Sequence, residues 1–313
     1  MNEVEDTSDV WAQFSRSGSE RGSVSQKVDA VARPKPWKRF LGRFLRQRLG
    51  VVAGIILVSV VTVAVLAPVL APMDPNIQDL RNILRFPDAK NLLGTDDLGR
   101  DVLSRLLFGA RVSLMAAVQA TLIAVLVGLP FGLIAGYFGG LTDRVISFVN
   151  DGVMSMPGLL LAVAIVGMLG PGLRNAMIAI GIVFAPRILR IVRGSVMEVK
   201  RETYIEASRS LGTSDSRIIR THVLPNVRSP LIVELSLLTS RAMLVEASLS
   251  FLGMGAQYPE ASWGAMVGRA FTYVDRAPYL IVFPGIAIAV VVLAINVVGD
   301  ALRDSLGRET RRA

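Results

Sequence analysis

The sequence has no cysteine and a single histidine, His222, among its 313 residues. Without cysteine the chain can form neither disulfides nor thiolate metal sites, and one histidine excludes the histidine clusters of intramembrane metalloenzymes and haem proteins. No Gly-Lys pair occurs, so the chain has no Walker A loop for nucleotide phosphates. If ATP drives the activity of this protein, another subunit must bind that ATP.

Charged residues are also scarce, at 19% of the chain, against about 25% in average soluble domains. Four runs of at least 22 residues contain no charge at all: residues 49–73, 112–142, 152–173 and 277–299. About 20 apolar residues are enough to cross the hydrocarbon core as a helix. These runs predict an all-α integral membrane protein.

The uncharged runs and the turn residues together predict six transmembrane helices. The spans are expected near residues 50–70, 112–137, 143–170, 230–252 and 279–298, with the fourth starting near Asn175 and continuing past Pro186. Gly128, Pro130 and Gly132 are expected to kink the second span, and Pro157 the third. Three arginines after Pro186 are expected to snorkel to the inner interface: Arg187, Arg190 and Arg193.

Basic residues set the predicted topology. Six spans place 24 of the 34 Lys and Arg residues inside, nine outside and Arg241 in the membrane, which predicts that both termini are cytoplasmic. The net charge of +9 is therefore read as a topology signal, and no nucleic-acid partner is expected. The predicted segments are a disordered cytoplasmic tail (1–36), a basic flank with the first span (37–72), an external segment (73–111), a five-helix core (112–306) and a cytoplasmic tail (307–313).

Within the external segment, Thr95 is expected to cap an amphipathic helix whose first turn holds Asp96 and Asp97. Apolar residues between 98 and 107 recur at helical spacing, so this helix is expected to lie at the outer interface. A structural elbow into the second span is favoured here over contact with a binding protein.

The chain is organised around a polar, basic stretch at residues 202–226 that lies between apolar runs. Residues 204–211 are predicted to form a short helix that stops at Gly212. Thr213 or Ser214 can then cap a second helix, with Asp215 in its first turn, and Pro225 is expected to end that helix. The prediction is a helix-break-helix loop on the aqueous side, within a coupling loop at 198–228.

This stretch resembles the Glu-Ala-Ala loop of the permease subunits of bacterial ABC importers. The pattern is carried by Glu206-Ala207-Ser208, Gly212 and His222-Val223-Leu224-Pro225-Asn226, where Ser208 and His222 depart from the general form. The last five residues resemble the dipeptide and oligopeptide branch of that family. Further resemblances to the branch lie at residues 93–111, 250–253, 262–264 and 296–304.

The resemblance implies a type I ABC importer permease fold with a cytoplasmic coupling helix, in the bacterial inner membrane. It implies a non-catalytic subunit that translocates peptides by alternating access, with nickel chelates or another small solute as the alternative cargo. The implied partners are a second homologous permease, two ATP-binding subunits and an extracytoplasmic binding protein. ATP and Mg would bind to the ATPase subunits, and no cofactor is expected on this chain. An ion-coupled carrier or a non-transport scaffold would leave the loop unexplained.

Three groups of site residues follow from the resemblance and the charge pattern. The ATPase-coupling group is Tyr204, Glu206, Ala207, Ser208, Leu211, Gly212, Asp215 and Arg217. The structural residues of the loop are His222, Leu224, Pro225 and Asn226, where no chemistry is assigned to His222. Glu234, Arg241 and Glu246 are candidates for the translocation pathway or for contact with a partner helix.

Overall fold

A computed structural model describes residues 36–306, with side chains described from 41 to 305. The predicted tails at 1–36 and 307–313 lie outside the described residues, apart from Pro36. One unit of the chain ends at Arg43 and another begins at Phe44. The elements are α1 (Pro36–Leu45), α2 (Arg48–Val65), α3 (Ala67–Leu70), α4 (Val102–Phe138), α5 (Gly140–Met154), α6 (Gly158–Leu169), α7 (Leu173–Val199), α8 (Thr203–Ser210), α9 (Asp215–Ile218), a π-helix (Ile219–Val223), α10 (Leu224–Phe251), α11 (Trp263–Phe271) and α12 (Tyr279–Leu306). The all-α class is confirmed for the described part of the chain.

Four of these helices, α2, α4, α7 and α12, are long and apolar enough to cross a membrane. The pair α5 and α6 passes the same test together and is bent by 92°, which confirms the break expected at Pro157. Helix α10 has 28 residues, but Arg228, Glu234, Arg241 and Glu246 lower its apolarity. Length and composition therefore support four or five spans among the described helices, and the count of six stays a prediction.

A stripe of glycines brings α4 and α7 into close contact. A Cβ on Gly128 would lie 2.5 Å from the Ala185 carbonyl oxygen, and one on Gly132 would lie 2.8 Å from that of Leu189. Gly136 continues the stripe one turn later. Small residues spaced by four are typical of close helix packing in membranes. Helix α4 is continuous through Gly128 and Gly132, with Pro130 inside it, and the kink expected there stays a prediction.

The expected cap at Thr95 is also wrong. Helix α4 begins at Val102, and its cap is Asp101, whose carboxylate accepts from the Ser104 backbone N–H at 2.8 Å. Thr95 instead donates its hydroxyl to the Asn82 carbonyl oxygen. Asp96 holds the chain before Val102 in a turn, since its Oδ1 accepts from two backbone N–H groups. The apolar residues after this turn therefore form the first turns of α4 and no separate helix.

Two hydrophobic clusters hold the unit together. The larger one joins the first half of α4 to α7, α10, α11 and α12, with Met177, Met243 and Trp263 among its buried members. The second joins the last half of α4 to the end of α7 and the start of α10, and it includes Ile205 and Ile218. The polar loop at 203–223 is thus packed onto the bundle at the end where α4 finishes.

Candidate functional site

The coupling loop, defined here as residues 203–223, has the helix-break-helix form that the sequence predicts. Gly212 separates α8 from α9 and has φ +76°, which confirms the left-handed turn. A Cβ on Gly212 would meet nothing within 4 Å, so the need for glycine comes from the backbone conformation alone. Ser214 occupies the cap position of α9, but its side chain makes no capping hydrogen bond.

One isoleucine on each short helix anchors the loop to the bundle. Ile205 on α8 and Ile218 on α9 are both completely buried, in the cluster that also contains Val196 and Val223. The sequence analysis did not single out either residue. The available signal was weak: each is a lone β-branched apolar residue in a short polar helix.

The opposite face of the loop points away from the bundle. Leu211 is 85% exposed and Tyr204 is 41% exposed. Glu206, Ala207 and Arg217 are exposed as well, and Ser208 is half-buried. The loop thus presents a mixed apolar and charged surface around a small residue and a glycine turn, which suits close approach by another protein.

A polar cluster around Tyr137, missed by the sequence analysis, ties the loop to the end of α4. The Tyr137 hydroxyl donates to Asp215 Oδ1 at 2.5 Å, and Lys200 Nζ donates to the Tyr137 carbonyl oxygen at 2.5 Å. The Arg209 guanidinium lies 5.2 Å from the centre of the Tyr137 ring, within the range of cation–π attraction. Hydrogen bonding to the Tyr137 side chain raises the pKa of Arg209. Asp215 therefore contacts the bundle as well as lying in the first turn of α9.

His222 and Asn226 support Tyr204. The rings of Tyr204 and His222 lie 5.7 Å apart. Asn226 Nδ2 donates to the His222 carbonyl oxygen at 2.7 Å and to the Tyr204 hydroxyl at 3.3 Å. The chain from α8 to α10 is therefore fixed by side-chain contacts.

The expectation that Pro225 ends the second short helix is wrong. Helix α10 begins at Leu224 and has Pro225 in its first turn, so the chain stays helical across the proline. The π-helix Ile219–Val223 joins α9 to α10 without a break. The chain from α9 to α10 is therefore helical throughout.

The sequence predicted that three arginines of α7 snorkel to the inner interface. In the structure, each of them also pairs with a carboxylate on a neighbouring helix. Arg187 pairs with Glu234 on α10, Arg190 with Asp151 on α5 at 3.0 Å, and Arg193 with Asp143 on α5 at 2.5 Å. The Arg193 pair is bidentate, with a second contact at 2.8 Å. Ion pairs thus connect helix α7 to both α5 and α10 near the coupling loop.

The three charged residues of α10 that were predicted to line a pathway or meet a partner helix do not converge on one site. Glu234 is buried and engaged by Arg187. Glu246 is 1% exposed and accepts from the Ser250 hydroxyl at 2.7 Å. Arg241 is exposed on another face of the helix. Of these three residues, Arg241 is the one that is free to meet a group outside the chain.

Long apolar helices, joined to a polar loop that is anchored on one face and exposed on the other, define a helical membrane protein. The comparisons with known proteins give the particular family. The chain belongs to the family of binding-protein-dependent transport system inner membrane components, whose profile matches residues 128–312. Residues 35–88 match the N-terminal transmembrane domain of oligopeptide transport permease C.

Relatives match over most of their length. The chain is 41% identical over 272 residues to the glutathione transport system permease protein GsiD of Pectobacterium atrosepticum, covering 87% of this chain and 90% of that protein. It is 40% identical over 278 residues to the dipeptide transport system permease protein DppC of Alkalihalophilus pseudofirmus, covering 89% and 91%. The resemblance stated from the sequence motifs is confirmed.

A solved structure shares the fold. The inward-facing MetNI methionine ABC transporter superposes with a TM-score of 0.52 at 21% identity, over 64% of this chain and 96% of that one. At this identity the likeness concerns the fold alone. Together with the family match, it confirms the ABC importer permease fold.

Proposed function

We propose that this chain is a permease subunit of an ATP-driven importer that carries short peptides across the inner membrane by alternating access. The relatives named for glutathione and dipeptide transport support this class of cargo. The proposed partners are a second homologous permease, two ATPase subunits and an extracytoplasmic binding protein. ATP is hydrolysed on the ATPase subunits, and both termini of this chain are cytoplasmic.

The coupling loop is the observation that carries the proposal. Its inner face is fixed by Ile205 and Ile218, while Leu211 and Tyr204 are presented outward. Because these contacts fix the loop to the bundle, a partner that displaces the loop also displaces the helices to which it is attached. Because the π-helix leads straight into α10, a shift of α8 and α9 reaches a long helix without an intervening flexible segment.

Substitution of Gly212 tests the coupling role. Gly212→Val forces a β-branched residue into a positive φ, at a cost of about 1–2 kcal/mol or more, and should misdirect α9. In vesicles reconstituted with the whole complex, peptide uptake and peptide-stimulated ATP hydrolysis should both fall sharply. Affinity for the binding protein should be retained, because the coupling loop alone is altered.

The matched control is Gly170→Val. Gly170 also has a positive φ, of 90°, and a Cβ there would meet nothing within 4 Å, but it lies between α6 and α7, away from the coupling loop. Gly170→Val should leave the number of peptides carried per ATP unchanged. If Gly212→Val supports uptake and stimulation near wild type at equal complex amount, the coupling role is wrong.

Docking on the ATPase can be tested directly, since the chain has no cysteine of its own. Leu211→Cys provides a single reactive thiol on the outward face, and a benzophenone attached there should cross-link to the ATPase subunit. Leu252→Cys is the control, because Leu252 is 53% exposed at the far end of α10. Equal cross-linking from both positions would contradict the docking assignment.

A further inference from the structure

A buried arginine at the end of the bundle opposite the coupling loop lacks partners for most of its donors. Arg100 is 1% exposed, and its Nε donates to Asp96 Oδ2 at 2.7 Å. Its Nη1 and Nη2 atoms are buried and make no hydrogen bond within residues 36–306. Asp97 Oδ1 lies 3.6 Å from Nη2, which exceeds hydrogen-bonding distance. Buried charged donors without acceptors are costly, so this guanidinium needs an acceptor.

The unpartnered guanidinium lines a small cavity. The cavity has a volume of about 30 Å³ and is surrounded by the turn before α4, the start of α4, helix α11 and the start of α12. Its polar lining residues are Asp96, Asp97, Arg100, Arg105, Arg269 and Tyr273. One water needs about 10–15 Å³ of such space, so the cavity fits a group with two oxygen atoms.

Positive charge is in excess around the cavity. Asp96 is already shared between Arg100 and the Nε of Arg105 at 3.4 Å, and Arg105 Nη1 also donates to the Pro75 carbonyl oxygen at 3.0 Å. Arg269 pairs with none of the carboxylates in the described part of the chain. Its guanidinium lies 5.8 Å from the centre of the Tyr258 ring. Three guanidinium groups thus face two carboxylates, and the cavity can accept one further negative charge.

We propose that this cavity binds one carboxylate group, held by the terminal nitrogens of Arg100 with Arg269 beside them. A guanidinium offers parallel N–H groups that match the two oxygens of a carboxylate. A water molecule could accept from Arg100 but would not balance the extra charge.

The position of the cavity suggests two sources for the carboxylate. Arg105 and Tyr137 lie on the same helix, 32 residues and therefore about 48 Å apart at the helical rise, so the cavity and the coupling loop occupy opposite ends of α4. If the proposed function holds, this end meets the binding protein. The carboxylate then belongs either to an acidic side chain of the binding protein or to the C-terminus of the peptide.

The first test uses acetate and the complete complex without binding protein. Replacing chloride by acetate at constant ionic strength should raise the melting temperature of the wild-type complex by roughly 2–4 °C. Arg269→Gln should abolish this rise, and Arg269→Lys, which keeps the charge but loses the forked geometry, should reduce it. Arg276→Gln is the matched control, because Arg276 is exposed and outside the cavity lining, and it should respond like wild type.

The second test separates the two sources. If the binding protein supplies the carboxylate, Arg269→Gln should weaken its binding to the complex about tenfold, and acetate should compete with that binding in wild type. If the peptide supplies it, binding of the binding protein should be unchanged. The preference of uptake for a free over an amidated peptide C-terminus should then fall about tenfold in Arg269→Gln.

The acetate measurement decides the proposal. No acetate-dependent rise in wild type, an equal rise with chloride, or an undiminished rise in Arg269→Gln would overturn it. An acetate response in a wild-type complex that imports no peptide would retain the site and count against the proposed import function, because the melting measurement requires neither peptide nor binding protein.

Discussion

Tyr137 offers the sharpest test of how the coupling loop is joined to the bundle. Tyr137→Phe removes one hydroxyl, and with it the 2.5 Å hydrogen bond to Asp215 on α9. The ring stays, so its contacts with the second hydrophobic cluster and its cation–π contacts with Arg209 and Lys200 are kept. The bond between the Lys200 ammonium group and the Tyr137 carbonyl oxygen is also kept. The substitution therefore removes only the contacts of the hydroxyl, with Asp215 on α9 and with Arg209 on α8.

The expected size of the effect follows from the burial of the two partners. A hydrogen bond to a charged group contributes about 1.5–3 kcal/mol. Tyr137 is 2% exposed, but Asp215 is exposed, and water can take the place of the hydroxyl at its carboxylate. The lower end of the range applies, and about 1.4 kcal/mol corresponds to a tenfold change in an equilibrium. The fraction of complexes in which α9 is packed against the bundle should fall accordingly.

The assay is the ratio of peptide imported to ATP hydrolysed in reconstituted vesicles. Tyr137→Phe should lower this ratio several-fold while basal hydrolysis by the ATPase subunits persists. The ATPase subunits themselves are unchanged, and only the attachment of the coupling loop to the bundle is weakened. Tyr258→Phe is the matched control, since its hydroxyl accepts a hydrogen bond from Gln78 at the other end of the molecule. An unchanged ratio in Tyr137→Phe, or an equal loss in Tyr258→Phe, would refute the reasoning.

Two further predictions concern the packing of α7. Gly132→Leu should destabilise the purified complex by about 1–3 kcal/mol, because the larger side chain overpacks against α7. The control is Gly54→Leu, which should unfold thermally like wild type, since a Cβ at Gly54 would meet nothing within 4 Å. Equal melting temperatures for the two variants would contradict the close approach of α4 and α7. Arg193→Gln and Asp143→Asn should each destabilise the complex. A double-mutant cycle should give a coupling energy of about 1 kcal/mol, because the ion pair is bidentate but partly solvent-exposed. Additive effects of the two substitutions would show that the ion pair contributes nothing to stability.

The sequence predicted the coupling loop well because its signals are local. Gly212 adopts a positive φ, and a glycine between two short polar helices predicts that conformation without any knowledge of the tertiary structure. The long uncharged runs likewise identify apolar helices from composition alone. The motif spacing added the family, which the relatives confirm.

What the sequence could not give are the contacts between distant segments. Gly128 and Gly132 were predicted only to kink the second span. Their close packing against α7 depends on where that distant helix lies, and the residue type alone does not reveal it. Arg187 and Arg193 were expected to reach the interface because their partners, Glu234 and Asp143, lie about 50 residues away. The anchoring role of Tyr137 has the same origin, because Asp215 lies far from it in sequence.

Arg241 provides the remaining prediction, since α10 leaves it without an internal partner. Glu234 is held by Arg187, Glu246 faces the protein interior, and no carboxylate in the described part of the chain pairs with Arg241. On the predicted topology it lies at membrane depth, where an unpaired charge costs about 2.5–3.5 kcal/mol or more, and Leu244 one turn later is 47% exposed. We expect this face of α10 to meet the second permease or a hydrated pathway. Arg241→Gln should therefore lower either the yield of the complex, if the partner permease supplies a carboxylate, or the preference for peptides with a free C-terminus, if the cargo supplies it. Arg241→Lys should retain much of either property, because it preserves the charge. Unchanged complex yield and unchanged uptake in Arg241→Gln would show that neither contact exists.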